Sequence, residues 1–234
     1  MRAVLTIEKY LDRVILTFFV LLFVLLTAVG TYVMADTVYI YSGASQHGTL
    51  VYKPGAKKVE QEDLHELSRD CVGWLTIDGT TIDYPVMQGR TNASYLNTNP
   101  FGEYSLSGSI FLDCSNSPDF TDSYSLLYGH HMEGGAMFGA LDKFLDEDYF
   151  MRHRTGTLTL TDGTVYHLKN FAVLTCTAGD TEIFCVGEGG PDDGYLSGHA
   201  LYSLGYESNK ILAMTTCLGD KAEDRLAVLA EMIQ

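Results

Sequence analysis

Residues 210–232 read KILAMTTCLGDKAEDRLAVLAEM, two apolar runs separated by a short polar break. The first run ends at Cys217, and the second begins at Arg225. Short apolar runs bounded by polar turn residues are typical of buried strands. If the two strands pair through the break, Cys217 and Arg225 lie next to each other at one end of a sheet.

Six further runs of strand length precede this pair along the chain. They are WLTI (74–77), TIDYPVM (81–87), GSIFLD (108–113), YSLLYGH (124–130), TLTL (157–160) and TVYHLKNFAVLTC (164–176). The dipeptides Asp78-Gly79 and Asp162-Gly163 each lie between two of these runs, and Asp-Gly is a strong hairpin signal. The pattern predicts about eight strands, and closing them into a small barrel would leave no exposed sheet edge.

Three segments have the spacing of helices instead. The stretch 137–150 (MFGALDKFLDEDYF) carries an apolar face made of Met137, Phe138, Leu141, Phe144, Leu145 and Tyr149. Residues 195–204 form a weaker helix candidate. In 59–74 (VEQEDLHELSRDCVGW), helical spacing relates Leu64, Leu67, Cys71 and Trp74. The chain is therefore expected to be mostly β, with helices before and between the strands.

A segment suited to crossing a membrane lies near the N-terminus. Residues 14–33 contain no charge, and as a helix they would span ~30 Å, the thickness of a bilayer's hydrocarbon core. Basic residues precede the segment and Asp36 follows it, which favours a cytoplasmic N-terminus. We expect a cytoplasmic N-terminus at 1–13, a transmembrane anchor at 14–35, an extracytoplasmic stalk at 36–58 and a folded domain at 59–234. A cleavable signal peptide ending near Ala35 and a buried core helix are the two alternatives.

Charge and cysteine content exclude several classes of function. The net charge is −15 and no basic run exceeds Lys57-Lys58, so a nucleic-acid partner is not expected. The five cysteines show no CxxC spacing, which argues against a zinc site or a redox motif. Their odd number leaves at least one thiol free or paired between chains. A disulfide between Cys176 and Cys185 and a pair of buried thiols both remain open.

Two cysteines end apolar strands, and a strand end holds a side chain rigidly beside a cleft made of loops. Cys217 and Cys176 are equivalent on that ground alone. A cysteine nucleophile also needs a group that handles its proton and a group that holds an oxyanion. His130 ends another strand, and Arg225 begins the strand after Cys217, so these residues favour Cys217 as the nucleophile.

The same segments resemble the sortases, and specifically those called class B. The motifs in chain order are VGWLTIDGTTIDYPVMQG, the YLN of 95–97, SGSIFLD, YGHHMEGGAMFGAL, the TTC of 215–217 and DRLAVLA. The resemblance extends from about residue 72 to residue 232, and YGHHM followed closely by MFG is its most specific part. It implies a closed eight-stranded β-barrel with N-terminal helices, inserted helices and a preceding transmembrane helix, residues 59–234 being the sortase-like catalytic domain.

The resemblance also implies roles for individual residues. His130, Cys217 and Arg225 match the catalytic positions, whereas His131 does not. Substrate binding is implied more weakly for four residues: Asn92, Leu96, Tyr128 and Thr215. Class B members often carry Ser where Thr215 stands and a polar residue where Leu218 stands, so the substrate preference does not carry over. The backbone N–H of Leu218 is a further candidate donor to the oxyanion. No metal or organic cofactor is implied.

The expected activity is that of a membrane-anchored cysteine transpeptidase of a Gram-positive cell surface. It would cleave a C-terminal sorting motif of secreted proteins after Thr, form a thioester on Cys217 and transfer the acyl group to a peptidoglycan-precursor amine. One alternative is a pilin-polymerising sortase whose acceptor is a Lys side chain. A papain-like protease is disfavoured because His130 precedes Cys217 in the chain. An inactive membrane-tethered β-barrel binding module is the alternative from another class.

Overall fold

A computed structural model describes residues 2–44, 47–55, 67–218 and 223–234. The chain divides into two compact units, Met1–Ser42 and Gly43–Gln234. Most of the first unit is one helix, α1 (Arg2–Ala44), which contains the whole predicted anchor and extends through the first nine residues of the predicted stalk. Its large apolar side chains from Val14 to Val33 are exposed, and it is long and apolar enough to cross a membrane.

Nine strands occur in the described part of the second unit, and they belong to one sheet. Their bounds are β1 (Cys71–Ile77), β2 (Asp83–Met87), β3 (Ile110–Leu112), β4 (Tyr124–Tyr128), β5 (Thr155–Leu160), β6 (Val165–Thr177), β7 (Ala200–Ser203), β8 (Ile211–Cys217) and β9 (Asp224–Ile233). Eight of them coincide with the runs predicted from sequence.

The sheet closes on itself as a barrel. The strand order is β5-β1-β2-β3-β4-β8-β9-β6, and β5 also pairs with β6, so the predicted closed eight-stranded barrel is confirmed. The pairs β2–β3 and β4–β8 are parallel, and the remaining pairs are antiparallel. The short strand β7 pairs with β6 beyond the part of β6 that pairs with β5.

The described helices are short apart from α1. A 3-10 helix (Phe138–Leu145) and α2 (Glu147–Arg152) bury the apolar face predicted for 137–150. Between β6 and β8 lie α3 (Thr181–Phe184) and α4 (Asp193–His199). Further 3-10 turns occupy His47–Tyr52, Glu133–Gly135 and Val186–Glu188.

Two helix predictions were wrong in part. Cys71 and Trp74 lie in β1, because β1 hydrogen-bonds to β2 on one edge and β5 on the other, and this pairing overrides a weak local period. Val59 and Leu64 lie outside the described residues. In 195–204, the helix ends at His199 and residues 200–203 form β7, whose Tyr202 ring stacks on Phe150 and whose backbone pairs with β6.

Alternation along the strands separates two apolar layers. In β8, Leu212 and Met214 point into the barrel core, while Ile211 and Ala213 belong to an outer cluster covered by residues of α3 and α4. Thr215 and Cys217 continue the outer series, so the predicted nucleophile faces away from the barrel interior.

Part of the predicted stalk packs on the barrel. Lys53 Nζ lies 2.7 Å from Asp83 Oδ1, which also accepts hydrogen bonds from Trp74 Nε1 (2.7 Å) and Thr76 Oγ1 (2.9 Å). Thr49 is fully buried. Residues 47–55 are therefore packed against the barrel, whereas 45–46 and 56–58 of the predicted stalk lie outside the described residues.

Candidate active site

The parallel pair β4–β8 brings two strand ends together. Tyr128 pairs with Thr215, and the backbone N–H of Gly129 donates to the Thr215 carbonyl at 3.2 Å. His130 and Cys217 each stand two residues beyond this pair. Because parallel strands end at the same edge of a sheet, both side chains reach the same end of the barrel.

The antiparallel strand β9 begins at that same end. Arg225 pairs with Cys217 on β8 and with Cys176 on β6, so the three residues form one row across the sheet. Directly paired residues project their side chains to the same face. Arg225 Nη1 also donates to the Asp224 carbonyl at 2.9 Å.

One cavity of about 350 Å³ collects all seven site residues predicted from sequence. Its lining includes Asn92, Leu96, Tyr128, His130, Thr215, Cys217 and Arg225. Phe111, Gly129, Ala178, Phe184 and Thr216 complete the lining. The cavity is thus mostly apolar, with a thiol, an imidazole and a guanidinium at its wall.

The imidazole of His130 is held by the backbone of the loop after β2. Its Nε2 lies 2.7 Å from the Leu96 carbonyl oxygen. A carbonyl oxygen can only accept, so Nε2 carries the hydrogen and Nδ1 is the nitrogen left for proton transfer. Leu96 therefore contributes through its backbone as well as through its half-exposed side chain.

Gly129 allows the chain to turn towards the cavity just before His130. A Cβ there would lie 2.5 Å from Ile110 Cδ1 and 2.7 Å from the Phe138 ring. Real Cβ contacts are not this short, so any other residue would force the ring or the strand end to move. The close approach keeps His130 at the end of β4.

Burial distinguishes the two cysteines that end strands. Cys217 is exposed, whereas Cys176 is half-buried against the outer cluster. Burial, reinforced by the charge of Asp180, raises the pKa of Cys176 to about 12, although Arg225 acts in the opposite direction. Cys176 is therefore protonated near neutral pH and is a poor nucleophile. All five cysteines are free thiols, so Cys176 and Cys185 do not pair.

The backbone N–H of Leu218 was a wrong choice of oxyanion donor. It donates to the Asp224 carbonyl at 2.9 Å, closing the turn between β8 and β9. A donor engaged in that bond does not face a reacting carbonyl. Among the described residues, no group of His, Cys, Asp or Glu is arranged to hold a metal ion.

Sequence reasoning missed the aromatic wall of the cavity. The Tyr128 ring stacks between Phe111, at 5.3 Å between centroids, and Phe184, at 6.3 Å. Phe111 belongs to the motif SGSIFLD and could have been found by strand alternation. Phe184 lies in the short helix α3, and no local signal relates it to β4.

The comparisons with known proteins agree on one family. A sequence model of the sortase domain matches residues 75–233. Sortase B of Listeria monocytogenes is 42% identical over 124 residues, and Sortase B of Staphylococcus aureus is 34% identical over 122. These alignments cover 53% and 52% of this chain and 50% of each relative, so the chain spans about half the length of the curated relatives it matches.

A solved structure agrees in both fold and sequence. A class B sortase of Streptococcus pyogenes involved in pilus biogenesis superposes with a TM-score of 0.65 and 32% identity, covering 71% of this chain and 94% of that one. The sequence match, the closed barrel and the structural match carry the same conclusion. The chain belongs to the sortase family, and its relatives are class B sortases.

Proposed function

We propose that this chain is a membrane-anchored cysteine transpeptidase in which Cys217 is the nucleophile, His130 the general acid and base, and Arg225 the oxyanion donor. The carrying observation is that these three side chains line one cavity at the meeting point of β4, β8 and β9. Family membership supports acyl transfer as the reaction class.

In the first half-reaction, the Cys217 thiolate attacks the carbonyl carbon of a Thr in a sorting motif of a secreted protein. The new C–S bond gives a tetrahedral oxyanion, which the Arg225 guanidinium stabilises through its planar set of donors. The C–N bond to the next residue then breaks, and His130 donates a proton to the departing amine. The product is a thioester on Cys217.

In the second half-reaction, an acceptor amine attacks the thioester carbonyl. His130 takes the proton from this amine, the C–S bond breaks, and the thiolate of Cys217 is restored. The Leu96 carbonyl accepts the Nε2–H of His130 in either protonation state, so Nδ1 is the nitrogen that gives and takes the proton in both halves. The apolar wall of Phe111, Tyr128 and Phe184 limits the access of water to the thioester.

The anchor is part of the proposed function. Residues 14–35 would cross the membrane with residues 1–13 in the cytoplasm and the barrel outside. A secreted protein still held by its own C-terminal tail and a lipid-linked cell-wall precursor both occur at the membrane surface. Confinement to that surface raises the effective concentration of the enzyme for both substrates.

The acceptor is proposed to be the amine of a peptidoglycan precursor. A pilin Lys side chain is the second candidate, and the similarity to the Streptococcus pyogenes class B sortase involved in pilus biogenesis favours it. The two acceptors differ in size and in attachment, so an assay with each amine distinguishes them directly.

The test incubates the full chain in detergent with a panel of sorting-motif peptides and follows the protein by mass spectrometry. An acyl adduct on Cys217 that a small amine discharges is the expected result, with Cys217→Ala as the matched control. An intact protein that forms no adduct with any peptide would favour the membrane-tethered binding module. An adduct on Cys176 would overturn the choice of nucleophile.

A further inference from the structure

A buried carboxylate lies behind the cavity wall without belonging to its lining. Asp113 follows β3 and is 4% exposed. Its backbone is held independently of its side chain, since its N–H donates to the Leu126 carbonyl at 2.9 Å and its carbonyl accepts from Gln88 Nε2 at 2.9 Å. The carboxylate itself has three neutral hydrogen-bond donors.

Two of these donors are side chains that line the cavity. Asp113 Oδ2 accepts from Asn92 Nδ2 at 2.7 Å and from the Tyr128 hydroxyl at 2.9 Å. The third donor, the backbone N–H of Ser115, bonds to Oδ1 at 2.8 Å. One carboxylate oxygen therefore connects the loop after β2 with the end of β4.

These bonds determine the orientation of the Asn92 amide. While Nδ2 donates to Asp113, Oδ1 accepts the Cys114 backbone N–H at 2.8 Å. If the Asn92 amide were flipped, its Nδ2 would face the Cys114 N–H, which is also a donor, and its Oδ1 would face the Asp113 carboxylate, which is also an acceptor. Only the observed orientation is therefore compatible with both neighbours. The donor left over is the second N–H of Nδ2, which suits a peptide carbonyl.

Tyr128 is restricted in the same way. Its hydroxyl hydrogen is committed to Asp113, and its ring is stacked between two phenylalanines. The hydroxyl oxygen is therefore an acceptor only towards the cavity. The loop that carries Asn92 also carries Leu96, whose carbonyl holds His130.

We propose that Asp113 is a positioning residue for the peptide substrate: it holds the Asn92 amide and the Tyr128 hydroxyl in the single orientation in which they meet the bound sorting motif. Asp113 touches neither the reacting atoms nor the cavity, and it acts through those two side chains. This inference rests on the proposed transpeptidase function, and it adds a specificity-determining residue to that function.

The test compares Asp113→Asn with a matched control, Asp122→Asn. Asp122 also accepts a side-chain amide, from Asn116, and a backbone N–H, from Ser117, but none of its partners lines the cavity. Removal of a charge-assisted hydrogen bond predicts a fall of about 10- to 100-fold in kcat/KM for the sorting-motif peptide, mainly through KM. Asp122→Asn is expected to stay within about twofold.

Alkylation of Cys217 by iodoacetamide separates positioning from general damage. This small reagent does not use Asn92 or Tyr128, so the alkylation rate in Asp113→Asn is expected to stay within about twofold of the wild type. A double-mutant cycle completes the test. In an Asn92→Ala, Tyr128→Phe background, Asp113→Asn is expected to lower kcat/KM by less than about threefold further.

The hydrogen bond between Asn92 and Asp113 can also be tested without any enzymatic turnover. The side-chain amide NMR signals of Asn92 should shift in Asp113→Asn and stay in place in Asp122→Asn, even if no peptide is a substrate. Absence of turnover in the wild type overturns the proposed function but not the contact. Unshifted Asn92 signals, an unchanged kcat/KM, or a full additional loss in the double-mutant background each overturn the role of Asp113. If Asp113→Asn does not fold, Tyr128→Phe, which removes one of the two bonds, is measured in the same assays.

Discussion

At the residue scale, Arg225 is the group of the candidate site with the closest link to the nucleophile. It pairs across the sheet with Cys217 on one side and with Cys176 on the other. Its charge lowers the pKa of Cys176 against the larger effect of burial, yet of the two cysteines only Cys217 is exposed. A guanidinium fixed on a strand next to the thiol suits the proposed role of oxyanion donor, since no loop would have to move to deliver it.

Removing this guanidinium should reduce turnover strongly. We expect Arg225→Ala to lower kcat by ~10²–10³, and Arg225→Lys to recover only part of that loss because an ammonium lacks the planar fork. The measurement is steady-state transpeptidation of a sorting-motif peptide. Arg154→Ala is the control, because the Arg154 Nε donates to the Asn170 carbonyl and does not line the cavity. Full activity of Arg225→Lys would contradict the assigned role.

At the element scale, the junction after β4 depends on a missing side chain. Gly129 packs against Ile110 and Phe138, so the strand end that presents His130 has no room for a methyl group. The 3-10 helix that follows seals this end of the barrel with fully buried Phe138 and Phe144. The packing of that helix and the position of His130 therefore depend on each other.

Filling this space should affect both stability and activity. We expect Gly129→Ala to lower the free energy of unfolding by about 1–3 kcal/mol, the usual cost of overpacking a core, and to reduce kcat by displacing His130. Urea unfolding and peptide turnover measure the two effects. Gly205→Ala is the control, since a Cβ there meets nothing within 4 Å. Equal stability and activity of the two variants would show that the β4 end is not constrained by packing.

The ion pair between Lys53 and Asp83, in the hairpin of β1 and β2, predicts that the stability of the fold depends on pH. Burial opposes ionisation of Asp83, but hydrogen bonds from Lys53, Trp74 and Thr76 lower its pKa overall. A carboxyl whose pKa is lower in the folded state stabilises the fold above its unfolded value of about 3.9, and this contribution is lost as the pH falls through the folded pKa. Asp83 is partly exposed, so solvent screening limits the effect.

Below about pH 4, the wild type should therefore lose more stability than Asp83→Asn does. Urea unfolding at several pH values measures this difference, and Trp74, the only tryptophan, reports it by fluorescence because its Nε1 donates to Asp83. Asp119→Asn, at an exposed loop aspartate, is the control. Parallel stability curves for the wild type and Asp83→Asn would rule out the contribution.

At the scale of the whole molecule, the chain joins a long apolar helix to an acidic barrel. The first unit has exposed apolar side chains that water does not favour, while the second buries three apolar clusters among its described residues. The net charge of −15 suits a domain that stays soluble beside a membrane surface. The proposed topology follows from the basic residues before the apolar segment.

Thiol labelling on intact cells tests that topology. In a Cys114→Ala background, a membrane-impermeant maleimide should label Cys217, because Cys217 is then the one exposed cysteine of the described residues and would face outwards. A Cys114→Ala, Cys217→Ala variant is the control and should remain unlabelled. Labelling that appears only after lysis would reverse the orientation.

Much of the fold was predictable from sequence because it depends on patterns of neighbouring residues. Alternating apolar runs and Asp-Gly turns identify eight strands, and an uncharged stretch identifies the long helix. The ends of those strands already marked His130, Cys217 and Arg225. The motif likeness to class B sortases then added the family and the catalytic roles expected of those three residues.

Other features depended on contacts between residues far apart in the chain. Cys71 and Trp74 belong to a strand because β1 has partners on both edges, and β7 forms only because β6 offers it a free edge. Cys176 is more buried than Cys217 because residues of α3 and α4 pack against the cluster that includes Cys176. No local pattern encodes burial by a distant element.

The sequence by itself determined eight of the nine described strands, the apolar helix and the choice of His130, Cys217 and Arg225 as candidate reactive groups, since local periodicity and residue chemistry carry this information. Only the tertiary structure decided that β4 and β8 run parallel, that the Leu96 carbonyl holds His130, and that Asp113 joins Asn92 to Tyr128. Register and hydrogen-bond partners across the fold arise when the whole chain satisfies its buried polar groups at once.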